Sequence, residues 1–209
     1  MRSLIATLLF SLVISCVFPG GAGARGRPPH EPSVPASLVQ TSLSLAPFQH
    51  VRFCLRYPAE CVSNPAEPER IDLTPENSAL LDRINRDVNA AIEPLHKSYG
   101  KNLQEAWRIA PLAGDCNDYA VTKRHQLLRS GLPAKALRLA VVKTRSGDGH
   151  LLLLVATTGG ELVLDNLTDV ILPWQDAEYR WLKIQSVGDA RSWYEVRTSG
   201  ISVSSRDRK

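Results

Sequence analysis

The chain has 209 residues, of which 44% are hydrophobic and 22% are charged, and its formal net charge is +4 at pH 7. These proportions are those of a globular protein, and they exclude a disordered or collagen-like chain. The basic residues are scattered and form no stripe with interleaved aromatic residues, so we expect no nucleic-acid partner.

The first 24 residues have the pattern of a secretory signal peptide. Arg2 gives a positive start, an apolar run extends from Leu4 to Phe18, and small residues suited to a signal peptidase end at Ala24. The run is shorter than the roughly 20 residues that a membrane span needs, and we predict no stable span in this chain. We therefore expect a periplasmic or secreted protein. The alternative is a lipoprotein anchored at Cys16, because "VISC" loosely resembles a lipidation motif.

Composition divides the rest of the chain into three segments. Residues 25–46 are rich in Pro, Ser and Gly and are predicted to be a flexible arm. Residues 47–198 have the length and patterning of one domain with a substantial core. Residues 199–209 form a polar tail.

Two cysteines lie close together near the start of the domain, in "FCLRYPAEC". In an oxidising compartment, Cys54 and Cys61 are predicted to form a disulfide that holds an irregular segment. A zinc site is the alternative, but it needs two further ligands. Cys116 then remains without a partner, and an unpaired cysteine in an exported protein is a liability unless its reactivity is used.

The sequence next predicts two helices. The first lies in "LTPENSALLDRINRDVNAAIEPL", where Thr74 caps the helix, Pro75 suits its first turn and apolar residues recur at helical spacing. The second begins at Asp115 and ends near Ser130, because "SGLP" supplies a glycine C-cap and a proline stop.

After the helices the pattern changes to strands. They are predicted in "ALRLAVVKTR", "HLLLLVATT", "ELVLDNL", "YRWLKIQS" and "SWYEVRT". Turns are predicted at "SGDG" and at Gly159-Gly160, and the second strand is apolar on both faces, which is typical of a central strand. We therefore predict an α+β fold with N-terminal helices packed on an antiparallel sheet.

Three residues in this order suit nucleophilic catalysis. Cys116 lies at a helix N-terminus, where the dipole favours a thiolate. His150 opens a strand and can pair with the thiolate and later protonate a leaving amine. Asp165 ends the next strand and can fix the tautomer and orientation of the imidazole. The backbone N–H of Cys116 is predicted to be one oxyanion donor.

The strand register is a strict requirement of this triad. A tight turn at Gly159-Gly160 would place Asp165 opposite Leu154, four residues from His150, or roughly 13 Å at ~3.3 Å per residue. That separation is too large for a hydrogen bond. The triad therefore predicts that the turn lies earlier, near Thr157-Thr158, or that a bulge shifts the register.

Each candidate also has a purely structural interpretation. Asp115 could be only an N-cap, and Asp118, three residues later, could complete a capping box. His150 could be an exposed residue at the start of a strand, and Asp165 could simply open a turn.

Two further side chains near Cys116 are considered. His125 lies in mid-helix among Lys123, Arg124 and Gln126, and we predict a solvated helix face there. Trp107 is the tryptophan nearest in sequence to Cys116, and we predict that it lines a substrate groove, although tryptophans are most often core residues.

"GDCNDYA", "DGHLLLLV" and "GELVLDNL" resemble the bacterial transglutaminase-like cysteine proteinases, over about Phe48 to Val196. The resemblance implies a papain-like or transglutaminase-like α+β core and a triad of Cys116, His150 and Asp165. It implies a protein substrate and no organic cofactor.

The LapG branch of that family cleaves a surface adhesin in the periplasm and requires calcium beside its catalytic cysteine. On this chain, the resemblance places the calcium ligands at Asp115, Asn117 and Asp118. Oxygen ligands suit calcium, but three adjacent residues cannot complete the shell of about six to eight ligands by themselves.

The leading interpretation is an exported cysteine endopeptidase. The same triad would also serve acyl transfer to an amine, as in a transglutaminase or amidase. A third interpretation is a catalytically silent periplasmic binding domain, which predicts an unreactive Cys116. A thiol–disulfide protein is the fourth, and it requires that Cys116 bridges to Cys54 or Cys61. The sequence does not predict the oligomeric state.

Overall fold

The computed structural model describes residues 38–95 and 106–198. The predicted signal peptide, the alternative lipidation site at Cys16, residues 25–37 of the predicted arm and the predicted tail lie outside the described residues. No helix within the two described ranges has the length and apolar character needed to cross a bilayer.

Within the described residues, seven strands form one sheet with the order β1-β9-β8-β4-β5-β6-β7, and two short strands pair separately as β2 and β3. The elements in chain order are β1 (Leu38–Ser44), α1 (Phe48–Arg56), α2 (Pro75–Ala91), β2 (Glu93–Pro94), β3 (Ala113–Gly114), α3 (Cys116–Arg129), β4 (Leu137–Lys143), β5 (Gly149–Thr157), β6 (Gly160–Leu164), β7 (Leu172–Pro173), β8 (Arg180–Gln185) and β9 (Trp193–Thr198). Short 3-10 helices occupy Pro58–Cys61 and Ala134–Ala136. The large sheet is antiparallel throughout, and the predicted α+β class is confirmed.

The strand β5 is central and is buried on both faces, as its unbroken apolar sequence predicts. Leu151, Leu153 and Val155 pack into the core that contains the apolar faces of α2 and α3. Leu152 and Leu154 pack into a second core on the opposite face, with Trp174 and Trp181. The antiparallel sheet therefore separates two cores, and α3 lies against β5.

The predicted helix signals operate as expected. The Thr74 hydroxyl accepts a 3.2 Å hydrogen bond from the Asn77 N–H at the start of α2. At the end of α3, Gly131 adopts a φ of 90°, a left-handed conformation that favours glycine. Helix α3 therefore has defined ends. Its first residue, Cys116, lies at a defined position beside the sheet.

Two segments differ from their predictions. The part of the predicted flexible arm at residues 38–44 is strand β1, which pairs with β9 and buries Leu38 in the second core. The polar composition of this segment gave no strand signal, because the strand forms by completing the backbone hydrogen bonds of β9. The segment predicted to be irregular contains α1, which buries His50 and Phe53.

Candidate functional site

The turn between β5 and β6 decides the position of Asp165. Thr157 pairs with Gly160, so the turn residues are Thr158 and Gly159, one residue earlier than Gly159-Gly160. The pairing has no bulge. Continuing this register places Asp165 opposite Leu152, two residues from His150 rather than four. Such a diagonal pair lies within reach of long side chains.

The side chains of His150 and Asp165 meet in the interior. His150 Nε2 lies 2.8 Å from Asp165 Oδ1, and the two residues are 6% and 2% exposed. The Tyr179 hydroxyl donates a hydrogen bond to Asp165 Oδ2, and the Leu167 N–H donates one of 3.1 Å to Oδ1. The carboxylate is thus held at both oxygens, which restricts the orientation of the imidazole that it contacts.

The groups around His150 raise its pKa although the side chain is buried. Burial is the largest influence and lowers the pKa of His150, but the hydrogen bonds to Asp165 and Cys116, and the charges of these groups, raise it to about 9. Burial raises the pKa of Asp165, but its contacts with His150, Tyr179 and Leu167 outweigh that effect and lower it. An imidazolium at this position is suited to pair with a thiolate.

Cys116 is the first residue of α3 and is partly buried. Asp165 contacts Nε2 of His150, and Cys116 is among the groups that raise the pKa of this histidine. Among the described residues, Cys116 is the only free cysteine, because a disulfide joins Cys54 and Cys61. The helix dipole favours negative charge at its position. The structure therefore pairs His150 with Asp165 directly and places Cys116 near enough to raise the pKa of His150.

The acidic residues beside Cys116 form a capping box. Asp115 Oδ1 accepts 3.1 Å hydrogen bonds from both the backbone N–H and the side-chain amide of Asn117. Asp118 Oδ2 accepts a 3.3 Å hydrogen bond from the Asp115 N–H. Both carboxylates thus satisfy donors at the start of α3, as the structural interpretation predicts.

The same residues do not fit a calcium ion in this arrangement. Asp118 is fully buried, and its oxygens accept hydrogen bonds from the backbone and the guanidinium of Arg108. Asn117 turns its amide nitrogen, not its oxygen, towards Asp115. A calcium shell needs about six to eight oxygen ligands, and here Asp115 Oδ1 and both Asp118 oxygens accept hydrogen bonds from N–H groups, two of them from Arg108.

Trp107 does not lie where the sequence predicts. Its side chain is only 4% exposed and belongs to the core, with its ring centroid 5.5 Å from His50 and 6.1 Å from Phe53. A ring buried against α1 offers no groove surface, so its core interpretation applies. Trp107 is buried because it packs against α1, and the sequence pattern did not predict this contact because α1 is distant in the chain.

The helix face around His125 is also less solvated than predicted. Lys123 and Arg124 are 0% and 2% exposed. The Arg124 guanidinium donates to the carbonyl oxygens of Leu137 and Glu60, and His125 Nδ1 lies 2.6 Å from Glu60 Oε1. These contacts attach the 3-10 helix Pro58–Cys61 to α3 and leave His125 outside the Cys116 site.

Helix α2 supports the loop after Asp165 through two amides that the sequence reasoning missed. The Asn89 amide donates to the carbonyl oxygens of Asp165 and Thr168 and to Asp169 Oδ1. The Asn85 amide donates to the Asp169 carbonyl at 3.0 Å. Polar amides four residues apart on an amphipathic helix were the available signal. No sequence signal marked Tyr179, because its contact with Asp165 depends on the tertiary structure.

Lys123 adds a buried amine to this support. Its Nζ donates a 2.7 Å hydrogen bond to Asn85 Oδ1. Burial lowers the pKa of Lys123 to about 7, although Asp165 and Asp169 act in the opposite direction. The loop that carries Asp165 is thus connected to both α2 and α3.

A second histidine lies beside the disulfide. His50 is 1% exposed, and its Nδ1 accepts a 3.2 Å hydrogen bond from the Trp193 indole N–H. The Gln185 amide nitrogen lies 3.0 Å from His50 Nε2, and Cys54 Sγ lies 3.5 Å from the same atom. Burial, followed by the charge of Arg124, lowers the pKa of His50 to about 4. The alternative zinc site requires thiolates, and the disulfide contains both sulfurs.

A family model for bacterial transglutaminase-like cysteine proteinases (BTLCP) matches residues 40–200. Calcium-bound LapG from Legionella pneumophila is a similar solved structure, with a TM-score of 0.51 and 21% identity over 63% of this chain and 75% of that chain. Another Legionella pneumophila LapG structure has a TM-score of 0.50 and 20% identity over 59% and 71% of the two chains. At these identities the structures share the fold. No curated protein matches the chain.

Proposed function

We propose that this chain, which belongs to the bacterial transglutaminase-like cysteine proteinases, is an exported endopeptidase whose nucleophile is Cys116. The family makes it a cysteine peptidase with a transglutaminase-like fold. The observation that carries the residue assignment is the buried imidazole of His150, which contacts Asp165 and whose pKa is raised to about 9, in part by Cys116.

The proposed reaction has two steps. The Cys116 thiolate attacks the scissile carbonyl carbon, and the oxyanion is stabilised by N–H groups at the start of α3, that of Cys116 among them. His150 then donates its proton to the amide nitrogen as the C–N bond breaks, which leaves an acyl-enzyme. In the second step, water loses a proton to His150 and attacks the acyl carbon, which releases the acid and restores Cys116. Asp165 orients the imidazole throughout.

The proposed substrate is a protein of the periplasm or the cell surface. The predicted signal peptide supports the location, and the family resemblance supports a surface adhesin. A cavity of about 330 Å³ adjoins Asp165 and Tyr179, with Val163, Leu167 and Val170 among its apolar lining residues. We propose that this cavity accepts an apolar side chain of the substrate.

The first test is the rate at which iodoacetamide alkylates Cys116, followed by peptide mapping across about pH 5 to 9. In the wild type, we expect alkylation to persist well below pH ~8.5, the unperturbed value for cysteine. His150→Ala should return the profile to that of an ordinary thiol, because the thiolate loses its cationic partner. His125→Ala is the matched control and should keep the wild-type profile, since His125 contacts Glu60 instead.

An unreactive thiol in every variant would contradict the proposal and favour a silent binding domain. If the thiol is reactive, a peptide library digested with and without an added primary amine separates the remaining alternatives. Hydrolysis gives products with free carboxylates in both samples. Amide products formed with the added amine would instead identify acyl transfer.

A further inference from the structure

The side chain of Arg108 lies against the acidic start of the helix that carries Cys116. Its guanidinium lies 3.4 Å from Asp118 Oδ2 and donates a 3.1 Å hydrogen bond to the carbonyl oxygen of Ala113. Its backbone N–H donates a 2.8 Å hydrogen bond to Asp118 Oδ1. One residue therefore contacts both oxygens of a carboxylate that is two positions from Cys116 and fully buried.

We propose that Arg108 is a built-in cation beside Asp118 that replaces the calcium ion implied there by the resemblance to LapG, and that this chain works without calcium. A buried carboxylate is stable only when donors and a positive charge compensate for its lost hydration. Arg108 supplies both for Asp118. A divalent cation at the same oxygens would have to displace these donors and would be repelled by the guanidinium.

The tight packing around Asp118 supports this interpretation. A Cβ added at Gly114 would lie 2.5 Å from Asp118 Oδ2, so this carboxylate oxygen lies directly against the backbone at that position. The backbone there is also held by β2, because the Leu95 N–H donates to the Gly114 carbonyl at 2.8 Å. Asp118 thus contacts Arg108 and the Gly114 backbone, and the described geometry leaves its oxygens directed at protein groups.

The ion pair has a defined role in positioning the nucleophile. Arg108 contacts Ala113 and Asp118, which lie on either side of Cys116 in the chain. Asp118 in turn accepts from the Asp115 N–H and completes the helix cap. Arg108 is therefore a positioning residue that fixes the turn into α3. Unlike a bound ion, its charge cannot be removed by a chelator or supplied by a change in calcium concentration.

Calcium binding tests the proposal directly and without reference to activity. Titration calorimetry of the wild-type protein with calcium chloride should give no saturable heat, and neither calcium nor EGTA should change its melting temperature. Saturable binding by wild type, or stabilisation by calcium, would overturn the proposal. This measurement decides the calcium question even if Cys116 proves unreactive and the proposed peptidase function fails.

The positioning role is tested by alkylation of Cys116 at a fixed pH. Arg108→Gln removes the charge and should slow alkylation about tenfold or more, which corresponds to the loss of one charge-assisted hydrogen bond. Arg108→Lys keeps the charge and should retain most of the wild-type rate. Arg129→Gln, at the other end of α3, is the control for the loss of a positive charge.

Circular dichroism of each variant verifies that the fold is retained before the rates are compared. Wild-type reactivity in Arg108→Gln would overturn the positioning role. An equal loss in Arg108→Lys and Arg108→Gln would show that charge is not what Arg108 contributes. If Arg108→Gln fails to fold, Arg108→Lys and the wild-type calorimetry still decide the proposal.

Discussion

His50 on α1 and His150 on β5 are both almost completely buried, yet their surroundings drive their protonation in opposite directions. Burial is the largest single influence on the pKa of each histidine, and in both cases burial alone acts to lower it. At His50 the neighbours are the Trp193 indole N–H and the side-chain amide of Gln185, with Arg124 adding positive charge, and its pKa falls to about 4. At His150 a carboxylate and a thiol reverse the effect and raise its pKa to about 9.

The difference teaches that burial alone does not identify a functional histidine. A neutral imidazole is a structural group whose one acceptor nitrogen satisfies a buried N–H, here that of Trp193. An imidazolium held between a carboxylate and a thiol stores a proton where a leaving group could take it. The sign of the neighbouring charge therefore separates the two roles, and each role predicts a different response to substitution.

The largest effect is expected from Asp165→Asn, which should make His150 behave like His50. Without the carboxylate, burial dominates and the pKa of His150 should fall below about 6.5, its unperturbed value. Peptidase activity and Cys116 alkylation near neutral pH should fall by roughly 10²- to 10⁴-fold. The titration of His150 by NMR and the alkylation rate check this.

Asp148→Asn, on the exposed turn before β5, is the matched control and should leave both measurements unchanged. If the titration of His150 in Asp165→Asn stays near its wild-type value, the carboxylate is not the cause of the raised pKa.

His50→Phe should affect stability without affecting the thiol. The change leaves the Trp193 indole N–H without its acceptor, which we expect to lower the free energy of unfolding by about 2 kcal/mol. Denaturant unfolding measures this. A clear loss of Cys116 alkylation in this variant would contradict the separation of the two histidines.

His50 also predicts a pH dependence with a defined sign. The unfolded chain takes up a proton at His50 near pH 6.5, whereas the folded protein does so only near pH 4. The unfolded state therefore binds more protons in this window, and the contribution of His50 to wild-type stability falls as pH decreases from about 6.5 to 4. His50→Phe should lose this part of the pH dependence.

The smallest effect is expected from Tyr179→Phe. The variant removes a hydrogen bond to Asp165 Oδ2 but keeps the contact between Asp165 and His150. We expect kcat to fall by about tenfold or less, with KM changed little, since one hydrogen bond to a charged group contributes about 1.5 kcal/mol. Tyr194→Phe on β9 is the matched control. A loss as large as that of Asp165→Asn would mean that Tyr179 does more than position the carboxylate.

The features that the sequence alone determined are those that depend on near neighbours. The capping box of Asp115 and Asp118, the cap at Thr74 and the glycine stop of α3 involve residues within a few positions of one another. The central position of β5 follows from its apolar residues on both faces. Local chemistry of this kind has few competing arrangements, so the pattern was sufficient to predict the helices, most strands and the order of Cys116, His150 and Asp165.

The features that only the tertiary structure decided depend on contacts between distant segments. The turn at Thr158-Gly159 was one of several registers with similar local chemistry, and a shift of one turn residue moves Asp165 by two positions relative to β5. Burial of Trp107 against α1 and pairing of Arg108 with Asp118 likewise depend on which surfaces meet. The sequence determined which chemical groups the site has, and packing determined their distances and charges, because burial and partners are properties of the folded chain.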